Sequence, residues 1–183
     1  MADADVVISG TVLTVDDARP TAEALAVADS RIIAVGSSSD VTGFVGPNTE
    51  TVDLGDGCVM PGFIEAHGHP LMEAVVLSDR IVDIRPVTPE EPLRNISVAV
   101  TRMAPSGRVL GPEERLTVEQ AIRAQTIDAA WHLFADDVVG SLEVGKYADL
   151  VVLSADPRAV PPEQIADLEV RATYLAGRQV YPQ

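Results

Sequence analysis

Strand-type runs stand at both ends of this chain and helical periodicity stands between them, and this arrangement narrows the folds open to it. At the start, "DVVISG" and "TVLTV" are β-branched runs split at Gly10. "EALAVAD" and "RIIAVG" flank Asp29-Ser30, a two-residue hairpin candidate. "SSSDVTGFV" predicts a short helix opened by a serine cap. "ETVDLGDGCVMPGF" predicts another strand, a turn at Asp56-Gly57 and a Pro-Gly break. At the other end, "ADLVVLSAD" reads as a buried strand and "VRATYLAGRQVYP" as a strand pair turned at Ala176-Gly177. Neither group alone supplies enough apolar strand to close a core. One β-sandwich built from both ends is therefore expected, with strands of roughly residues 5–60 pairing with those of 147–181.

The middle leaves that sandwich and returns to it. "RPVTPEEPLRN" holds three prolines and reads as loop or extended chain. "PLRNISVAVTRM" fits a helix, because Leu93, Ile96 and Val100 share a face. "SGRVLGPEERL" reads as a loop. "LTVEQAIRAQTIDAAWHLF" is the clearest helical stretch: Thr117 and Gln120 form a capping-box pattern, and a break near Thr126-Ile127-Asp128 divides it in two. Val118, Ala121 and Ile122 share one face, and Ile127, Ala130, Trp131 and Phe134 extend the apolar surface. Part of that surface must cover something small or stay exposed, so self-association into a homo-oligomer is expected.

Charge removes several functions. A formal net charge of −15 and a pI near 4.4 argue against a nucleic-acid partner, which needs clustered Lys and Arg. The 46% apolar content and mean hydropathy of +0.17 predict a folded core. No apolar run is long enough to span a membrane, and the acidic "MADADVVISG" lacks the basic start of a signal peptide. The single cysteine, Cys58, forms no internal disulfide and suits a reducing cytoplasm. Cytoplasmic localisation with no membrane partner is the expectation.

The stretch with most chemical content is "VMPGFIEAHGHP", residues 59–70. On a strand, residues two apart point to one side, so His67 and His69 can aim two imidazoles at one ion. Imidazole suits zinc and similar divalent metals, but catalytic zinc takes three protein ligands and a water. The pair follows an apolar strand and a Pro-Gly break, so it falls at a strand's C-terminal end, where barrel enzymes carry their catalytic groups.

These residues resemble the first barrel strand of the amidohydrolase superfamily. "RIIAVG" with "TVDLGDGCVMPG" is similar to its N-terminal β segment, and "VGSLEVGKYADLVVLSADP" with "VRATYLAGRQVY" to its C-terminal segment. Residues 86–130, from "PVTPEEPLRN" to "TIDAA", resemble the end of the barrel in amidohydrolase family 3, the YtcJ-like or N-substituted-formamide-deformylase-like group. The resemblance implies a (β/α)8 barrel (a TIM barrel) beside a small β-sandwich made from both chain ends. It implies metal-dependent hydrolysis of C–N bonds other than peptide bonds, in small amide-type substrates. It also implies a ligand set of the His-x-His pair, a carboxylated Lys or a Glu, two further His, and an Asp after the last strand.

Much of that barrel has no counterpart here. A barrel takes about 250 residues, and fewer than fifty separate His69 from Thr117. The chain is expected to carry an internal deletion joining the first strand region to the last near residues 85–88. Ile84 stands where the resemblance puts the metal-binding Asp, and Asp83, one residue off, faces the other way on a strand and reads as a solvated or turn carboxylate. His132 reads as a helix-surface or semi-buried histidine, Glu65 as support for the histidine strand, Lys146 as part of a turn into a strand at Gly145, and Cys58 as unactivated.

The expected fold is thus mixed β and α. Residues 1–60 and 140–183 make a composite β-sandwich, and 61–139 a truncated barrel remnant. His67 and His69 are the metal candidates, no catalytic residue is assigned, and zinc is expected to bind weakly or not at all. The expected function is that of a catalytically impaired amidohydrolase. The alternatives are a metal-dependent hydrolase completed by another subunit and a non-enzymatic β-sandwich interaction module.

Overall fold

The computed structural model describes residues 3–65, 91–104 and 106–182. Its framework is one seven-stranded sheet to which both ends of the chain contribute. Strands β1 (Val6–Leu13), β2 (Thr21–Ala28) and β3 (Arg31–Gly36) form an antiparallel meander. Strand β4 (Glu50–Pro61) returns parallel to β1. After the helical middle, β5 (Leu150–Leu153), β6 (Val170–Leu175) and β7 (Arg178–Tyr181) add to the far edge of β4, all antiparallel. The order is β3-β2-β1-β4-β5-β6-β7. Strands from both ends therefore pair, and they do so within one sheet, not in two facing ones.

That sheet curls. Arg31 at the start of β3 bridges Tyr147, just ahead of β5, and the Ile32 N–H donates to the Lys146 carbonyl at 3.0 Å. The curl lets one face of all but the last strand converge on a shared core of Ile8, Val12, Leu25, Val27, Ile32, Val59, Leu150, Val152 and Tyr174. The alternation of a strand sends the neighbouring residues outward. On β1 and β2 these include Val7, Ala24 and Ala26, which pack under α1 (Ser38–Thr42) with Val41. The alanines matter there, because a short helix can lie close only to small side chains. Ser37 caps α1 in a capping box with Asp40.

Local turns follow their sequence signals. Asp29 and Ser30 both have left-handed φ, 48° and 69°, and so do Ala176 and Gly177 at 48° and 75°. Two such residues give the hairpin turn whose twist matches the flanking strands. Two expectations need correction. Gly10 does not split the first strand: it lies inside β1 at a register shift, with φ 136°, where a β-carbon would lie 2.8 Å from that of Leu54. Asp56-Gly57 does not end a strand either. Ser9 pairs with Asp53 and Thr11 with Cys58, so residues 54–57 bulge out within a continuous β4.

Beyond the bulge, β4 and β5 are buried on both faces. Val59, Leu150 and Val152 look into the curled core, whereas Cys58, Met60, Val151 and Leu153 look toward a helical layer. Two-sided burial accounts for the unbroken apolar runs there. The layer contains α2 (Glu91–Thr101), which contributes Leu93 and Ile96, both essentially inaccessible, with Val100 half-buried. Burying one such side chain is worth about 1.5–3 kcal/mol. Helix α3 (Val118–Ala124) adds Ala121 and Ile122 and starts with the Thr117–Gln120 capping box, both halves of which form. Helix α4 (Ile127–His132) follows after Thr126 leaves helical geometry at φ −134°, ψ −97°. The apolar surface expected on α4 divides: Ala129 and Ala130 are buried, but Trp131 and Phe134 face solvent. Among the described residues no helix is long and apolar enough to cross a membrane.

Candidate functional site

The element that carries the candidate site is the end of β4. Its central position, parallel to β1 on one side and antiparallel to β5 on the other, fixes the direction in which the chain leaves the sheet. Pairing continues one step past the strand, where the Gly62 N–H donates to the Asp149 carbonyl at 2.9 Å. The Asp149 carboxylate in turn accepts from the Ala176 N–H at 2.7 Å, so the exit from β4 is tied to the β6–β7 hairpin. Two residues on, the Ile64 N–H donates to the Gln125 carbonyl at 2.9 Å, in the break between α3 and α4. Thr126 keeps that break in place: it is fully buried, and its hydroxyl donates to the Ile122 carbonyl at 2.8 Å. The contacts of Gly62 with Asp149, of Asp149 with Ala176 and of Ile64 with Gln125 are not visible in the sequence, because each joins distant segments.

The chain is described as far as Glu65 at this point. His67 and His69, the proposed metal pair, lie outside the described residues, as do Asp83, Ile84 and the expected junction at 85–88. Among the described residues no group of three or more His, Cys, Asp or Glu could hold a metal ion. Neither His132 nor Cys58 belongs to such a group. His132 ends α4 in an exposed position, its ring edge-on to Trp131 at a centroid distance of 5.3 Å. Cys58 is fully buried beneath the helical layer, and burial, reinforced by the Asp156 carboxylate, pushes its thiol up to about 12. A thiol held neutral is neither a nucleophile nor a ligand at ordinary pH.

Lys146 has a structural post. Gly145, at φ 96°, makes the turn before it. The buried ammonium donates to the Asp136 carbonyl at 2.6 Å and to the Ser141 hydroxyl at 2.7 Å, and pairs with Glu143 at 3.0 Å. The Ser141 hydroxyl, then Lys146, hold the Glu143 carboxyl below its usual range. These contacts clip the loop after α4 onto the start of β5. Asp156 and Arg158 form a second ion pair that the sequence reading missed, at 2.8 Å. An acid and an arginine two residues apart in a loop were its signal, and the Asp156 hydrogen bond raises the guanidinium further.

The comparisons with known proteins agree with this framework. Residues 82–181 match the model of the amidohydrolase family. Over 98 residues the chain is 40% identical to Protein LONG AFTER FAR-RED 3 of Arabidopsis thaliana, covering 53% of this chain and 17% of that protein. Over 79 residues it is 39% identical to the N-substituted formamide deformylase of Arthrobacter pascens, covering 43% of this chain and 15% of that protein. The matches thus span less than a fifth of those relatives' length. In three dimensions the chain resembles an adenosine deaminase from Xanthomonas campestris solved with bound zinc, at a TM-score of 0.59 and 14% identity, covering 97% of this chain and 93% of that one. At that identity the likeness is one of fold.

Proposed function

Because the chain belongs to the amidohydrolase family, we propose that it is a shortened relative of the hydrolases that cleave non-peptide C–N bonds in small amide-type substrates, internally deleted and inactive on its own. One observation carries the proposal. Val59 of β4 and Val152 of β5 pair directly, so the two ends of the chain close on each other, and only residues 62–90 run between the end of β4 and the start of α2. A (β/α)8 barrel takes about 250 residues, so no such barrel fits between them. Residues 1–60 and 140–183 form one composite β unit in this reading, and 61–139 retain the barrel's first strand and terminal helices.

His67 and His69 would be the metal-holding remnant, and a divalent metal such as zinc would supply an activated water in a complete site. Among the described residues no group of three or more His, Cys, Asp or Glu could hold a metal ion, and this reading assigns neither a third ligand nor a carboxylate to accept that water's proton. No hydrolytic step is therefore assigned to this chain.

The test is hydrolysis of amide, formamide and cyclic amide substrates by the purified full chain with added zinc, alongside its metal content. No turnover above background is expected, and His67→Ala should change nothing. Metal-dependent turnover that disappears in His67→Ala overturns the proposal and favours a site completed by another subunit. Sequencing across the genomic locus tests the deletion separately: an uninterrupted barrel sequence there removes it.

A further inference from the structure

The end of α4 presents a cost that folding does not explain. Phe134 closes the helix at φ +55°, a left-handed position that favours Gly or Asn, and its side chain is 91% exposed. A glycine there would relieve the backbone and lose no packing. Beside it Trp131 is 62% exposed and Leu133 51%. Three large apolar groups thus stand exposed within four residues at the end of one helix, a concentration unlike scattered single exposures.

The surroundings say what chemistry fits. Asp136 and Asp137 follow Phe134 after one intervening alanine, and among the described residues their carboxylates make no ion pair. Asp128, one turn back on α4, lies 3.9 Å from Arg123 and stays more than half exposed. From Ile127 to Lys146 the only Lys or Arg is Lys146, whose buried ammonium is taken up by Glu143, Ser141 and the Asp136 carbonyl. The stretch is therefore apolar and aromatic, followed by two aspartates without an ion pair among the described residues, on a chain of net charge −15. Such a face repels nucleic acid and anionic membrane. It also disfavours a second copy, because a two-fold contact lays Asp136 and Asp137 against themselves.

We propose that Trp131, Leu133 and Phe134 dock an amphipathic segment of another protein, one whose apolar side chains are flanked by Lys or Arg. Apolar groups seat on the three side chains, cations reach Asp136 and Asp137, and a Lys or Arg can also lie over an exposed ring.

Trp131 is the only tryptophan, so its emission reports on this face alone. The probe is an amphipathic helical peptide of leucine and lysine, compared with a leucine–glutamate peptide of the same pattern at physiological ionic strength. A saturable blue shift is expected with the lysine peptide, at an affinity at least about ten-fold above that for the glutamate peptide. Phe134→Gly should fold with an equal or higher melting temperature and weaken that binding at least about ten-fold; Leu133→Asn serves as a second variant. The double variant Asp136→Asn, Asp137→Asn should weaken binding and flatten its salt dependence. Absence of a shift overturns the proposal, as do equal shifts with both peptides or unchanged binding by Phe134→Gly and Leu133→Asn. Emission that shifts with protein concentration alone, together with a dimer in light scattering, assigns the face to a second copy instead. Emission already blue-shifted at every concentration assigns it to cover within the chain.

Discussion

Val59 and Val152 stand opposite each other in antiparallel register, the first inaccessible to solvent and the second nearly so, and this pair joins the two ends of the chain. Both side chains enter the curled core with Ile8, Leu25 and Leu150. A carboxylate at this seam has no partner and no route to water. Val152→Asp is expected to cost at least about 3 kcal/mol, or to prevent folding, measured as the shift of the urea midpoint by circular dichroism. A change below about 1 kcal/mol would mean that the two strand groups do not share this core.

Gly140 holds the loop after α4 against the helix. Its φ is +89°, and a β-carbon there would lie 2.8 Å from the Ala130 β-carbon and 2.9 Å from the Ile127 α-carbon. Neither neighbour is the free end of a flexible chain. Gly140→Ala should therefore destabilise by about 3 kcal/mol, combining backbone strain with overpacking. Thermal unfolding of the variant beside wild type reads this directly, and a melting temperature within error of wild type counts against the packing described.

Cys58 should be silent to thiol reagents. It is fully buried, and its folded-state value of about 12 lies above the ordinary 9.0. A raised value means that the unfolded chain ionises first, so the stabilising effect of the neutral thiol is complete below about pH 9 and is lost as pH rises toward 12. Labelling of the native protein at neutral pH should proceed no faster than global unfolding, by mass spectrometry against time. Rapid labelling without unfolding would place Cys58 at an accessible surface.

Glu143 should show itself on the acid side. Its carboxyl is held below the ordinary 4.5 by the Ser141 hydroxyl first and by Lys146 with it. A depressed value stabilises the fold above the unfolded-state value, and that contribution is lost as pH falls below about 4.5 through the folded value. Glu143→Gln should thus lower the melting temperature at pH 7 and flatten its decline in that acid window. An unchanged decline between wild type and variant excludes this group as a source.

Much of the strand and helix content was legible because short-range physics fixes it. Asp29-Ser30 and Ala176-Gly177 turn hairpins as expected, since two left-handed residues suit the strand twist. Thr117 and Gln120 cap α3 reciprocally, a contact that depends only on their spacing. The histidine pair was legible as a pattern, but His67 and His69 lie outside the described residues, so the structure leaves their role as the sequence put it. Gly10 was misread because its local signal for a break is overruled by pairing on both sides of β1.

The sequence by itself determined the local geometry of this protein and, through its motifs, its kinship with amidohydrolases. Those signals act over a few residues, or survive as strings that a reader can match. Only the tertiary structure decided that β4 and β5 are neighbours, that the sheet curls until Arg31 meets Tyr147, and that Trp131 and Phe134 face water while Ala130 does not. The physical reason is that pairing partners and burial depend on which distant surfaces meet. An apolar side chain carries the same signal whether or not something comes to cover it.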